Sequence, residues 1–343
     1  MSVPPLPSPD AVRSILAIQV SRIGDTLLST PTLRAIARQY PAARLTVLAH
    51  PKRREVLENL PFIYRTGSIS KNTAWLQALL PGPKYDLAFV FGHDKPLVRY
   101  ALKRARRVVA MRQDDPGLDQ ALFHAASTPG FQSRHAVLMQ YALIEQLGIP
   151  LAGRHLGYQV RDDERAWAET KLQQTLGQRP FPLIGLQIAS FPTKGYRDWP
   201  LEHFIALTGR IRAAYPGAHF LIFGGTLEQA RTQALARHLG SAASHYAGQL
   251  SLRQTAALMA CLDYYIGVDT GPTHIMGALH KPMLAMYHPY SPSQNLMPLE
   301  HPALTVIDHP QAGQVGPEAS MAAVSVDTVW QALAPELVKL RVG

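Results

Sequence analysis

Cysteine is nearly absent from this chain: Cys261 is the single one in 343 residues. One thiol excludes an internal disulfide framework and any cysteine-based zinc site. Its setting, ALMACL, predicts a buried small hydrophobe. Long apolar runs are missing too, since none reaches the ~18–20 residues that a membrane span needs. The N-terminal MSVPPLPSPDAVRS has four prolines and no apolar h-region, so it reads as a loose tail and not a signal peptide. A cytoplasmic location is the expectation. Neither G-x-G-x-x-G nor the phosphate-binding G-x-x-x-x-G-K-[ST] occurs, and there is no internal repeat or low-complexity tract. What is present is 47% hydrophobic against 17% charged, the balance of a globular protein, at a length that suits two domains.

A balance of charge is missing from one half only, where basic residues are in excess. Residues 1–150 hold 19 Lys/Arg against 10 Asp/Glu, whereas residues 151–343 hold 15 against 14. The densest basic stretch is Arg99 to Arg112, RYALKRARRVVAMR, with a smaller cluster at Lys52-Arg53-Arg54. A single run of this kind is ordinarily a solvated helix face. Concentration of the surplus in one half favours an acidic partner for that half: nucleic acid, an anionic membrane surface or an acidic sugar. The chain has no helix-turn-helix, zinc-finger or RRM signature to support the first.

Strand and helix patterns alternate in both halves. Ile15–Val20, Leu45–Ala49, Leu87–Phe91 and Val108–Ala110 read as strands, with a helix ending near Tyr40-Pro41. The pattern loosens between about 150 and 180, around a helix at Asp163–Leu176, and residues 161–180 are the expected linker region. A second series runs through Leu183–Ile188, a helix at Leu201–Tyr215, His219–Phe223, helices at Glu228–Leu239 and Ser251–Leu262, and Met283–Tyr287. Such alternation predicts parallel sheets covered on both faces. The expected layout is an N-terminal domain over 1–160, a C-terminal one over 181–324, and a last helix in 325–343 that could pack back on the first.

One stretch organises the second half: Leu262 to Pro282, LDYYIGVDTGPTHIMGALHKP. Tyr264, Tyr265, Ile266 and Val268 read as a buried strand. Asp269-Thr270-Gly271-Pro272 then breaks into a helix, with Pro272 suited to its first position and Thr270 or Gly271 as N-cap. The strand thus delivers a carboxylate, a hydroxyl and free amides to a helix N-terminus, which favours an anion. A well-capped turn with no ligand fits the same residues.

Three other turns follow strands. Ser21-Arg22-Ile23-Gly24-Asp25-Thr26 places Asp25 where the first strand hands over to a helix, the edge at which functional residues of α/β sheets collect. From spacing alone Asp25 reads as a capping carboxylate. Pro31 either starts the main helix, capped by Thr30, or kinks one begun near Asp25. Gly224-Gly225-Thr226-Leu227-Glu228 offers Glu228 for a ribose hydroxyl or for the first helical turn. ASFPTKGYRDWP, residues 189–200, supplies Lys194 and Arg197 beside Trp199, cations that suit a diphosphate.

Taken jointly, SRIGD-(x4)-TP, a basic residue before WP, and VDTG-x-x-H followed by A-L-x-K-P resemble glycosyltransferase family 9, the ADP-heptose:lipopolysaccharide heptosyltransferases. The resemblance runs from Ile15 to about Tyr287. It implies the GT-B fold class, α/β with two Rossmann-like domains facing a central cleft, the acceptor on the N-terminal side and the nucleotide-sugar on the other. It implies no cofactor and no metal, an inverting reaction, and Asp25 as general base. Asp269 would contact the donor sugar, with Thr270, Gly271 and His274 around the diphosphate and Glu228 on the ribose. Either Lys194 or Arg197 is the diphosphate cation. The implied partners are ADP-heptose, an acidic lipid-linked or core oligosaccharide acceptor, and peripherally the inner-membrane surface, with no nucleic acid. Arg22, Arg99, Lys103, Arg104 and Arg106 are assigned to the acceptor. A sugar-nucleotide epimerase of the same architecture and a nucleic-acid-binding protein are the competing classes.

Overall fold

A computed structural model describes residues 4–127, 130, 133–311 and 316–342. The first three residues of the proline-rich N-terminal stretch lie outside them. The chain divides into two compact units, Met1–Gln159 and Val160–Gly343.

The first unit alternates β1 (Ser14–Gln19), α1 (Ile23–Leu28), α2 (Thr30–Gln39), β2 (Arg44–Ala49), β3 (Arg65–Ser68), α3 (Ala74–Gln77), β4 (Tyr85–Val90), α4 (Lys95–Arg104), β5 (Ala105–Met111), α5 (Pro116–Gln120), β6 (His124–Ala126) and α6 (Ala136–Glu145). Its sheet is parallel, in the order β3-β2-β1-β4-β5-β6. The second unit opens with α7 (Asp162–Leu176) and β7 (Leu183–Gln187). It continues with α8 (Leu201–Ala214), β8 (His219–Phe223), α9 (Gln229–Leu239), β9 (Ala243–His245), α10 (Leu252–Ala260), β10 (Tyr264–Val268), α11 (Gly271–Ala278), β11 (Met283–Tyr287), α12 (Ser293–Leu296), β12 (Leu304–Asp308) and α13 (Val326–Val342). Its order, β12-β11-β10-β7-β8-β9, is that of the first sheet read from the other side. Both are doubly wound Rossmann-type sheets, in which the strand order reverses between the first and fourth strands.

The central strands are continuous apolar runs because helices cover both faces. β7, β8, β10 and β11 are buried at every position. A carboxylate braces the amino edge of each reversal point. Asp86 Oδ2 accepts from the amides of Arg13 and Ser14 at 3.0 Å, tying β4 to β1. Asp263 Oδ2 accepts from Leu183 N at 2.8 Å, tying β10 to β7.

Four strands escaped the sequence reading: β3, β6, β9 and β12. β3 (RTGS), β6 (HAA) and β9 (ASH) are short, and with β12 they form the sheet edges, where a strong apolar run is unnecessary. Residues 161–180 hold α7, bound to α10 by a bidentate ion pair from Arg253 to Glu164, with Nε to Oε1 at 2.8 Å. Charge-assisted pairs of this kind are among the stronger polar contacts. The segment therefore belongs to the second unit. So does the last helix: Val329, Leu333 and Leu337 of α13 are buried with Phe204, Leu207 and Ile211 of α8, so its apolar stripe is committed to that core. Cys261 is only half-buried, its Sγ–H donating to Ala257 O at 3.5 Å.

Candidate functional site

The reversal of strand order opens a crevice beyond the carboxyl ends of two neighbouring strands, and ligands of open α/β sheets bind there. In the second unit those strands are β7 and β10. The loop after β7 carries Lys194 and Arg197, and β10 is followed by Asp269, so topology brings the two motifs together. Arg197 Nη1 donates to Asp269 Oδ2 at 2.7 Å and Arg197 Nη2 to Ser291 Oγ at 3.2 Å. His274 Nε2 lies 3.4 Å from Asp269 Oδ1.

Asp269 is 2% exposed. Burial alone would push its carboxyl up, but the hydrogen bond from His274 and the Arg197 guanidinium outweigh that and hold it below the usual range. It is an ionised carboxylate, locked in place. Behind it, Thr273 Oγ1 donates to Val268 O at 2.5 Å and lies 2.9 Å from Tyr265 Oη, fixing the strand-to-helix turn. Thr270 is the N-cap of α11, makes no side-chain cap bond, and leaves Pro272 as the second helical residue. The second position tolerates proline for the same reason as the first, since neither amide has an intrahelical partner. His274 Nδ1 is buried with no hydrogen-bond partner among the described residues.

The loop from 189 to 200 is rigidly built. Asp198 Oδ1 accepts from Ser190 N at 2.8 Å and Ser190 Oγ at 2.7 Å. Trp199 is fully buried, with Nε1 donating to Val324 O at 2.7 Å. Tyr196 packs edge-on against His288, ring centroids 4.8 Å apart, and Lys194 Nζ donates to Tyr196 Oη at 3.3 Å. The two cations of the motif thus differ. Arg197 is turned onto Asp269, while the Lys194 ammonium bonds one phenol. Glu228 is 8% exposed and curls back, Oε2 accepting from Gly225 N at 2.5 Å. Burial and the nearby Asp198 push its carboxyl up. A side chain at 225 would collide with that carboxylate, since a Cβ there would lie 2.6 Å from Oε2.

In the first unit the reversal lies between β1 and β4. Asp25 is exposed in the first turn of α1, which begins at Ile23. Ser29 separates α1 from α2, so the helix begun near Asp25 breaks just before Pro31. A cavity of about 440 Å³ is lined by Val20, Ser21, Arg22, Asp25, His50, Arg53, Ser70, Lys71 and Asn72. Arg53 Nη1 donates to Ser21 O at 2.8 Å, and Lys71 Nζ reaches Asp94 Oδ1, after β4, at 2.5 Å. Loss of solvent and the charges of Arg53 and Lys52 lower the His50 pKa. Asp25 is the one carboxylate in a lining that is otherwise basic or neutral.

The structure brings Arg22 to this cavity but not Arg99, Lys103, Arg104 or Arg106. α4 runs back from the carboxyl edge to the amino edge of the sheet, so its last turn, with Lys103 and Arg104, lies at the far end. Arg106, the second residue of β5, pairs with Asp86 there at 3.9 Å. Arg99 lies 3.7 Å from Asp115. Arg104 Nη2 donates to the carbonyls of Gln77 and Leu80, both at 2.6 Å. The sequence reading followed charge density. The position of His50 directly after β2 was the signal that marks the cavity instead, by the same edge rule that singled out Asp25. Ser291 carried no local signal, because its partner Arg197 is brought in by the fold.

Among the described residues, no group of three or more His, Cys, Asp or Glu side chains could hold a metal ion, and no helix is long and apolar enough to cross a membrane.

Two units of Rossmann type, each with charged residues at its reversal point, define the GT-B class of α/β proteins. The model of glycosyltransferase family 9 (heptosyltransferase) matches residues 97–316, more than half of the chain. The chain belongs to that family and is a glycosyltransferase. It is 24% identical over 310 residues to lipopolysaccharide heptosyltransferase 2 of Escherichia coli K12, covering 85% of this chain and 87% of that one. Its fold is that of a family 9 glycosyltransferase from Veillonella parvula, with TM-score 0.79 at 20% identity over 95% of this chain and 97% of that one. It is also that of the E. coli ADP-heptose lipopolysaccharide heptosyltransferase II, with TM-score 0.76 at 20% identity over 95% and 99%. The family match begins after Asp25.

Proposed function

We propose that this glycosyltransferase moves heptose from ADP-heptose to an acidic lipopolysaccharide inner-core acceptor, with inversion and without a metal, at the cytoplasmic face of the inner membrane. The observation that carries the reading is Asp25, an open carboxylate at a sheet reversal point in a cavity shared with Arg22, His50, Arg53 and Lys71. The names of the relatives supply the donor and the class of acceptor.

In this reading the basic lining of the first unit holds the anionic acceptor, and Asp25 takes the proton from its attacking hydroxyl. That oxygen bonds to the anomeric carbon as the bond from that carbon to the diphosphate breaks, and ADP leaves. Positioned proton transfer of this sort contributes roughly 10²–10⁴-fold. The second unit holds the donor. Asp269, its charge balanced by Arg197, accepts from sugar hydroxyls. The amides that open α11 at Thr270 and Gly271, the His274 ring and Lys194 stabilise the charge that develops on the diphosphate. Lys194 is the diphosphate cation and Arg197 the residue that orients Asp269. Glu228 faces the ribose, with its second oxygen left after capping Gly225.

The test is release of ADP from ADP-heptose with and without core acceptor, and with a chelator added. Acceptor-dependent release that is insensitive to EDTA supports the reading. Change of the donor without acceptor would indicate an epimerase, and loss of activity with EDTA would overturn the metal-free step.

A further inference from the structure

The basic run that leaves the Asp25 cavity lies beside another feature of the first unit. Between Lys71 and Lys84 the chain reads KNTAWLQALLPGPK, and four of its large apolar side chains face solvent. Trp75 is 63% exposed, Leu76 50%, Leu79 65% and Leu80 58%. Contiguous exposed apolar side chains on one short segment mark an interaction surface.

The segment is held in this presentation. Ala74 is buried in the core that α4 also builds. Arg104, at the end of α4, donates to the carbonyls of Gln77 and Leu80 at 2.6 Å, pinning the turn that carries the leucines. Its guanidinium comes so close to Gly82 that a Cβ there would lie 2.5 Å from Nη1. A larger residue there would have to push the guanidinium aside and loosen this clasp. Two exposed cations accompany the segment, Lys84 on the same loop and Lys103 next to Arg104 in α4. Arg106 is exposed as well, next to Asp86 at the head of β5.

We propose that Trp75, Leu76, Leu79 and Leu80, with Lys84 on the same loop and Lys103 next to the Arg104 clasp, dock the first unit on an anionic lipid bilayer. A tryptophan and leucines presented with lysines is the composition of an interfacial anchor: apolar groups enter the headgroup boundary while cations meet acidic lipid. The occupant is a lipid surface and not a protein, because the segment from Lys71 to Lys84 carries a lysine at each end and no carboxylate, a charge that matches acidic headgroups. The inference rests on the reading of a lipid-linked acceptor and adds the surface that carries the enzyme to it.

The experiment is co-sedimentation of the full chain with vesicles of phosphatidylcholine alone or mixed with phosphatidylglycerol, with tryptophan emission recorded in parallel. Binding to the anionic vesicles with a blue shift is expected. Trp75→Ser with Leu79→Ser should weaken it by at least about tenfold, and Lys84→Glu with Lys103→Glu by a similar factor. The Trp75→Ser/Leu79→Ser protein should keep its melting temperature and its turnover on a short soluble acceptor. Anionic vesicle binding that survives both pairs of substitutions overturns the proposal, as does a vesicle-free dimer that dissociates on Trp75→Ser/Leu79→Ser. Vesicle binding by a protein with no acceptor-dependent ADP release would leave this surface standing and remove the transferase assignment of its substrates.

Discussion

The two units share a strand order and a carboxylate brace at the amino edge of their reversal points, yet they place their aspartates differently at the carboxyl edge. Asp269 is buried, ion-paired to Arg197 and held by His274. Asp25 is exposed, and no described residue bonds its carboxylate. A group that must hold a ligand in one orientation gains from burial and fixed partners. A group that must take a proton has to be reachable, and a guanidinium bound to it would lower its basicity. One scaffold thus offers a fixed carboxylate and an open one.

The widest separation between them comes from removing each charge in turn. Asp25→Asn should cut turnover roughly 10²–10⁴-fold with unchanged stability and unchanged ADP affinity by calorimetry. Near-normal turnover would make Asp25 a capping residue and end the contrast.

Arg197→Ala should act mainly on folding. It strands the buried Asp269 carboxylate, and breaking a buried pair costs about 3–5 kcal/mol, to be read from urea unfolding. Lys194→Ala should leave unfolding unchanged and weaken ADP about tenfold or more, the worth of a charge-assisted hydrogen bond. Equal behaviour of the two variants would erase the division between positioning and binding cation.

In the first unit, Arg53→Glu with Lys71→Glu should raise the acceptor KM at low salt, by a factor that shrinks as ionic strength rises. With a soluble acceptor, Arg106→Glu should not. A matching rise for Arg106→Glu would return the basic run to the acceptor site.

The smallest effect concerns pH, and only the second unit. Burial and neighbouring His280 lower the His301 pKa to about 4. Between there and the unfolded value near 6.5 the unfolded chain binds a proton that the folded chain refuses. Its stabilisation is therefore full above about 6.5 and lost as pH falls towards 4. His301→Asn keeps an acceptor for the Ala303 amide, which Nδ1 now meets at 3.1 Å. It should flatten the fall in melting temperature over that window, and an unchanged slope would exclude His301 as a contributor.

The sequence by itself determined the alternation of strands and helices, the two-unit plan and the turns that follow the strands at the reversal points, because apolar periodicity and glycine or proline breaks are local properties. It was enough to single out Asp25 and Asp269. It could not decide between Lys194 and Arg197, since that choice depends on β7 and β10 being neighbours, a pairing across about eighty residues. Nor could it place the basic run. Arg99, Lys103, Arg104 and Arg106 are close to Asp25 in charge statistics but lie away from its cavity, Lys103, Arg104 and Arg106 at the opposite edge of the sheet, because α4 must run back along β4 to begin β5. Local pattern fixes which face of an element is apolar. Which edge of a sheet a charge reaches is set by the path of the chain, and only the tertiary structure decides it.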